Sequence, residues 1–308
     1  MNTTSSSSHH PAAPDPSRER ALVLHGGGST GNAWEIGVVA GLAEGGLDVA
    51  GADLIVGTSA GATAAVQIAG ASPADLLAAI LEAPPTRPGA ARGSAPAGGA
   101  SSRPVVDHLA RTDAVIAASS DAADMRRRMG AAALELDEGP EHSERWRAIV
   151  AARLPVQDWP DRAIRLTAVD ARTGEGLAFD RHSGIGLVDA VAASTSSGAP
   201  YRVGDARYID GGYRRNENAD LAAGFARVLV LSPFGGRSRH PEAWGMQLAA
   251  QVEELRAGGS RVETVFPDPD AAHLFGANAM NPANRPPAAR LGRDQGFALA
   301  ERLKSFWS

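Results

Sequence analysis

The chain has 308 residues, 44% of them hydrophobic and 21% charged, enough apolar material for one large domain with a sizeable core or two ordinary ones. Thirty basic against thirty-five acidic side chains leave a formal net charge of −5, too small an excess for a dedicated polyanion binder, so no nucleic-acid partner is expected. The absence of cysteine excludes disulfides, cysteine nucleophiles, thiolate zinc sites and iron–sulfur clusters, and no apolar run reaches the ~18 residues of a membrane span.

Residues 1–20 hold no core-forming aliphatic beyond Met1 and read as a disordered tail, with His9-His10 as tail composition rather than a metal site. No apolar stretch of about 7–15 residues marks a secretory leader there, which leaves the cytoplasm as the default location. From Ala21 onward a single domain is expected, running to residue 308. Ala21–Leu24 is short, apolar and closed by Gly26-Gly27-Gly28, as a buried strand would be. Trp34, Ile36, Val38, Val39 and Leu42 then recur at mostly helical spacing. A second buried strand, Asp53–Val56, runs straight into Gly57-Thr58-Ser59-Ala60-Gly61 and the small-residue helix Ala62–Ala69. Strand, helix, strand, helix with apolar strands predicts an α/β fold whose parallel sheet is covered on both faces.

Further strands are expected at Ile164–Val169, Val228–Leu231 and Arg261–Phe266. Helices are expected at Asp75–Leu81, Val105–Ala118, Glu144–Arg153, Pro241–Leu255 and Ala288–Phe306. Between them, residues 83–104 form a Pro/Gly/Ser/Ala stretch with nothing to bury, either a functional lid or a disordered insertion. Arg126-Arg127-Arg128 is the densest basic cluster and reads as a solvated helix face.

Two segments match the nucleophile-elbow pattern G-x-S-x-G, Gly27–Gly31 around Ser29 and Gly57–Gly61 around Ser59, so the pattern alone decides little. Context separates them. An elbow needs its serine on a sharp turn directly between strand and helix with small neighbours, and only Ser59 has that setting; Ser29 lies deep in a glycine loop. That loop, Gly26-x-Gly28-x-x-Gly31 after a strand, also fits a dinucleotide fingerprint. The fingerprint wants an acid at the end of the second strand, whereas Asp53 stands at its beginning. The same exposed amides would serve as an oxyanion hole. For a base, an α/β-hydrolase order of serine, acid, histidine would use His240 or His273, neither of them in a distinctive motif. Asp210, in Tyr208-Ile209-Asp210-Gly211-Gly212-Tyr213, is the alternative: an acid at a strand end followed by two glycines can approach another loop, although Asp-Gly-Gly is also an ordinary turn signal.

Taken together, Gly26–Gly31, Gly57–Gly61 and Asp210-Gly211-Gly212 resemble, in order and approximate spacing, the patatin-like phospholipase family. The helix Trp34–Leu42 and the stretch from Ala190 through Pro200 are similar as well, as are Asn281-Pro282 and the Gly292–Gly296 helix. The resemblance covers residues 20–232 well and 233–308 loosely. It implies a three-layer α/β/α sandwich with a mainly parallel sheet, and a serine–aspartate dyad without a catalytic histidine. Ser59 would be the nucleophile, Asp210 the proton acceptor, and the amides of Gly26, Gly27 and Gly28 the oxyanion hole. No cofactor and no metal are implied. One departure stands out: many members carry a basic residue where this chain has Thr30.

The expected activity is therefore hydrolysis of lipid acyl esters, of phospholipase A, lysophospholipase or esterase type. The helix Val105–Ala118 would offer one wall of an acyl trench, and membrane contact, where the substrate is a phospholipid, would be peripheral and transient. The alternatives are a Ser59–histidine esterase acting on small esters and a non-enzymatic nucleotide-binding domain.

Overall fold

A computed structural model describes residues 19–82 and 105–308, so the tail and lid expected at 1–18 and 83–104 lie outside the described residues. The apolar runs form eight strands: β1 (Arg20–Leu24), β2 (Leu54–Gly57), β3 (Ile164–Asp170), β4 (Gly176–Phe179), β5 (Tyr201–Val203), β6 (Ala206–Asp210), β7 (Arg227–Leu231) and β8 (Arg261–Val265). They make one sheet in the order β5-β6-β3-β2-β1-β7-β8, with β4 also paired to β3. The run from β3 to β8 is parallel, and β4, β5 and β6 pair antiparallel. Arg20, expected in the tail because no core-forming aliphatic stands between Met1 and Ala21, already belongs to the sheet, paired with Arg227.

Nine helices accompany these strands among the described residues: α1 (Gly28–Glu44), α2 (Ala60–Gly70), α3 (Pro73–Glu82), α4 (Val105–Ala117), α5 (Ala122–Leu134), α6 (Pro140–Ala151), α7 (Leu187–Ser194), α8 (Leu248–Ala257) and α9 (Arg285–Trp307). Alternate residues of the central strands feed different cores, because successive side chains leave a strand on opposite faces. Leu22, Leu24, Ile55, Leu229 and Leu231 pack with residues of α1, α2, α7 and α9. Ala21, Val23, Leu54, Val56, Val228 and Val230 pack with Leu248, Val252 and Leu255 of α8. The architecture is thus three layers, α/β/α, as expected. A smaller cluster joins α4 and α5 to Val169 and Ile209.

The expected helix Pro241–Leu255 divides into a 3-10 turn, Glu242–Trp244, and α8, because Gly245 between them takes the left-handed conformation (φ 63°). Of α5 only the arginine cluster is expected to be helical; the helix buries a thin stripe, Met125, Met129, Gly130 and Ala133, beside those arginines. Arg127 and Arg128 do lie on its solvated side near Asp124, but Arg126 Nε turns inward to donate to the Gly174 carbonyl (2.9 Å).

Helices α1 and α9 approach backbone to backbone. A Cβ on Gly37 or Gly41 would overlap the carbonyls of Ala289 or Arg293, and one on Gly292 or Gly296 those of Trp34 or Val38. Glycine pairs four residues apart line one face of each helix, and such close crossings are stabilised by dispersion and weak Cα–H···O contacts. Trp34 Nε1 adds a hydrogen bond to Gln295 Oε1 (3.1 Å). In an exposed helix, replacing glycine by alanine stabilises by about 1 kcal/mol. Here the sign is expected to reverse. Gly41→Ala and Gly296→Ala should each cost about 2 kcal/mol or more in chemical denaturation, while Gly198→Ala, at a position with open space around it, should stay within about 0.5 kcal/mol of wild type.

Candidate active site

The site is assembled where strands end. β2 runs parallel to β3 and stops at Gly57 opposite Leu166; β6 runs antiparallel to β3 and stops at Asp210 opposite Ala168. The two strand ends therefore reach neighbouring points of β3 from opposite directions, with Thr167 between them. The turn after β2 carries Ser59 at φ 53°, ψ −118°, a region that non-glycine residues seldom occupy and that stores roughly 1–3 kcal/mol of strain. It is held by what surrounds it. The Ser59 amide donates to Ser194 Oγ at the end of α7 (2.9 Å), and Gly61 passes so close to the Leu24 and His25 carbonyls that no side chain would fit. The hydroxyl of Ser59 stands half-buried at the N-terminus of α2, where unpaired amides favour negative charge.

A buried polar cluster ties the strand ends together. Thr167 Oγ1 donates to Thr58 Oγ1 (3.0 Å), and Asn218 Nδ2 donates to Thr58 Oγ1 (3.0 Å), to Thr167 Oγ1 (3.3 Å) and to the Gly211 carbonyl (3.0 Å). Asn218 is fully buried in a left-handed conformation (φ 56°). Gly211 lies so tightly on Thr167 that any Cβ would collide with it. Asp210 is 8% exposed, and Oδ1 accepts the Gly212 amide (2.8 Å). Burial pushes its carboxyl up to about 6, against the opposing pull of the Gly212 amide's hydrogen bond and of the Ser59 hydroxyl nearby.

Ser59, Asp210 and Gly26–Gly28 line one pocket of about 250 Å³. The glycine loop runs beside the serine: a Cβ on Gly26 would come within 3.0 Å of Ser59 Cβ. Among the described residues, the amides of Gly26, Gly27 and Gly28 donate to no other protein group. His108, Thr112 and Ile116 place one face of α4 on the pocket wall, which Phe234 and Tyr213 also line.

Other candidates fall elsewhere. Ser29 sits on α1, where its carbonyl and hydroxyl accept from Arg285 Nη1 (2.9 and 3.4 Å). Thr30 is buried with its hydroxyl unpartnered among the described residues, so positive charge reaches the loop from Arg285 on α9 instead. Asp53 accepts from the amides of Glu19 and Arg20 at the other end of the sheet, away from the glycine loop. His273 is exposed and bound to the Asp270 carbonyl. His240 lines the pocket, but its Nδ1 meets Ser238 Oγ (3.1 Å), and burial, with Arg239, pushes its pKa down to about 4. No histidine is hydrogen-bonded to Ser59 or Asp210 among the described residues, nor does any group of three or more His, Asp or Glu side chains there stand ready to hold a metal. Thr58, Thr167, Ser194 and Asn218 are positioning residues that the motifs did not single out; Asn218 follows Asp210 by only eight positions, but nothing in its local sequence marks it as buried.

The family model described as Patatin-like phospholipase matches residues 22–223. The crystal structure of VipD from Legionella pneumophila is similar at 12% identity and a TM-score of 0.41, over 94% of this chain and 68% of that one. No match is found among curated protein sequences.

The strained turn and its polar support can each be probed by a substitution. Both Ser59→Ala and Ser59→Gly remove the hydroxyl, but only glycine relaxes the backbone, so Ser59→Gly should be the more stable of the two by about 1 kcal/mol in denaturant titration. Asn218→Ala strips four hydrogen bonds, the three donated by Nδ2 and the one that Oδ1 accepts from Arg214 Nη1 (2.8 Å), and should cost about 2–3 kcal/mol of stability.

Proposed function

The chain belongs to the patatin-like phospholipase family, which implies lipid acyl hydrolase activity, and on that premise we propose that it cleaves carboxylic esters of lipids through Ser59 and Asp210. One observation carries this reading: a serine on a strained strand-to-helix turn lines the same pocket as a buried aspartate. Asp210 takes the Ser59 proton as Oγ adds to the ester carbonyl, and the amides of Gly26, Gly27 and Gly28 hold the oxyanion. Collapse of the tetrahedral intermediate expels the alcohol, which receives the proton from Asp210. Water then attacks the acyl-enzyme and gives a proton to Asp210; collapse expels Ser59 Oγ, which takes that proton back from Asp210, and the acid is released.

Desolvation matters here because a carboxylate at its ordinary pKa is a weak base. At about 6, Asp210 is still ionised at neutral pH but holds a proton more strongly than an exposed carboxylate would. A triad through His240 is disfavoured by the same logic, since burial and Arg239 weaken that imidazole as a base. No single helix among the described residues is long and apolar enough to cross a membrane, in keeping with a substrate met by peripheral, transient contact.

The test combines labelling, rate and stability. A fluorophosphonate should modify Ser59, located by mass spectrometry; an adduct on Ser29 instead would overturn the assignment. Because the base must be ionised, kcat/KM should fall as pH drops through about 6. Asp210→Asn should lower kcat by about 10²–10⁴-fold. The same substitution should stabilise the fold. Asp210 binds its proton more tightly folded than unfolded, so its stabilising share is present in acid and is lost as pH rises through about 6. At pH 7.5 the difference is roughly 3 kcal/mol in favour of the Asp210→Asn variant, whose amide is neutral, and the gain should shrink at pH 5.

A further inference from the structure

A second cavity, of about 550 Å³, opens from Ser59 on the side away from Asp210. Its walls come from the first turns of α1 and α2, from Trp146 on α6 and from the segment that leads into α9. Two arginines face into it. Arg285 opens α9, and Arg153 follows α6 with its guanidinium over the Trp146 ring (5.4 Å to the centroid). A chain of hydrogen bonds connects them along the floor: Arg285 Nη1 to Asn32 Oδ1 (3.2 Å), Asn32 Nδ2 to Gln67 Oε1 (2.9 Å), and Gln67 Nε2 to the Arg153 carbonyl (3.0 Å). Asn32, in the middle, is 5% exposed.

Neither arginine forms an ion pair among the described residues. Both cations line the one cavity, and burial, with the charge of Arg153 as the smaller cause, lowers the pKa of Arg285. Like charges gathered in a partly desolvated cavity are unfavourable unless an anion joins them. Arg285 Nη2 and Nε and the whole Arg153 guanidinium keep their donors free for such an anion among the described residues, and planar guanidinium forks suit the tetrahedral oxygens of phosphate.

We propose that this cavity is a phosphate subsite, in which Arg153 and Arg285 bind a phosphate carried by the ester substrate while Ser59 attacks the ester carbonyl. The inference rests on the hydrolase reading for its substrate, and it narrows that substrate to esters of phosphorylated alcohols. Met280, 58% exposed at the cavity wall, gives the phosphate-bearing molecule an apolar edge beside the cations.

The test uses a matched pair of soluble lipids, dihexanoyl phosphatidic acid and dihexanoylglycerol, which differ by the phosphate alone. With the full-length Ser59→Ala protein, calorimetric titration reads binding without turnover. Phosphatidic acid should bind at least about tenfold more tightly than the neutral lipid, and Arg153→Gln and Arg285→Gln should each erase that preference. Arg153 donates no side-chain hydrogen bond among the described residues, so its variant leaves the glycine loop's contacts intact and separates charge from folding. Equal binding of the two lipids, or a preference that survives both substitutions, would overturn the subsite. Inorganic phosphate binding as tightly as phosphatidic acid would also overturn it, in favour of a site for the free ion. With Ser59 intact, the kcat/KM ratio of the two lipids should fall by about tenfold in Arg153→Gln. A protein that binds phosphatidic acid through these arginines yet hydrolyses neither lipid retains the subsite and loses the hydrolase reading. One that hydrolyses both alike, with no change in Arg153→Gln, does the reverse.

Discussion

The site depends on the buried hydrogen bonds that meet at Thr167. Two strands arriving from opposite directions leave their ends adjacent, and strand ends are where backbone geometry is least constrained by the ladder. Asn218 closes that gap by reaching the elbow through Thr58, the template strand through Thr167 and the aspartate turn through Gly211. Each bond replaces one to water and is worth little net, but an unpaired polar atom there would carry its full desolvation cost. The cluster therefore has one low-energy arrangement, and that arrangement fixes the separation of Ser59 from Asp210.

Two features at this spot oppose folding. Ser59 stores backbone strain, and Asp210 is desolvated enough to raise its pKa to about 6. Both are tolerated because the surroundings are over-determined: close glycine packing under the elbow, the Ser194 hydroxyl on its amide, and the backbone seam between α1 and α9. Destabilising residues gathered at a reactive centre and offset by packing elsewhere are a recurrent arrangement in enzymes, where stability and activity compete for the same positions.

What the sequence made legible follows from how local each signal is. β1, β2 and the elbow are contiguous, apolar and punctuated by glycine, so strand, turn and helix could be placed from neighbours alone. Asp210 could be singled out by its two glycines, but its placement near Ser59 follows from the register on β3, which no local pattern gives. Asn218, Ser194 and Thr167 carry no such mark, since an asparagine, a serine and a threonine become structural only through segments remote in sequence. The same holds for α5, whose buried stripe is thin beside three arginines, and for the expected helix through Pro241–Leu255, where the left-handed Gly245 overrode an otherwise amphipathic pattern.

The family match ends at residue 223, yet the molecule around the serine does not. β7 pairs with β1 along its whole length, and so the strand that launches the glycine loop is held on one side by residues beyond the match. Ala279 accepts the Thr30 amide (2.9 Å), and Met280 closes over Gly28. Arg285 reaches back 256 positions to the Ser29 carbonyl, and it can do so because the glycine seam locks α9 in register against the helix that Ser29 begins. The matched region thus holds both the serine and the aspartate, while residues 224–308 add part of the surrounding wall, Phe234 and His240 in one cavity and Met280 and Arg285 in the other. On the proposed reading selectivity is shared: Arg153, inside the matched region, and Arg285, beyond it, line the same cavity beside Ser59, and altering α9 or its approach changes the shape and charge there while leaving the strands that deliver Ser59 and Asp210 untouched.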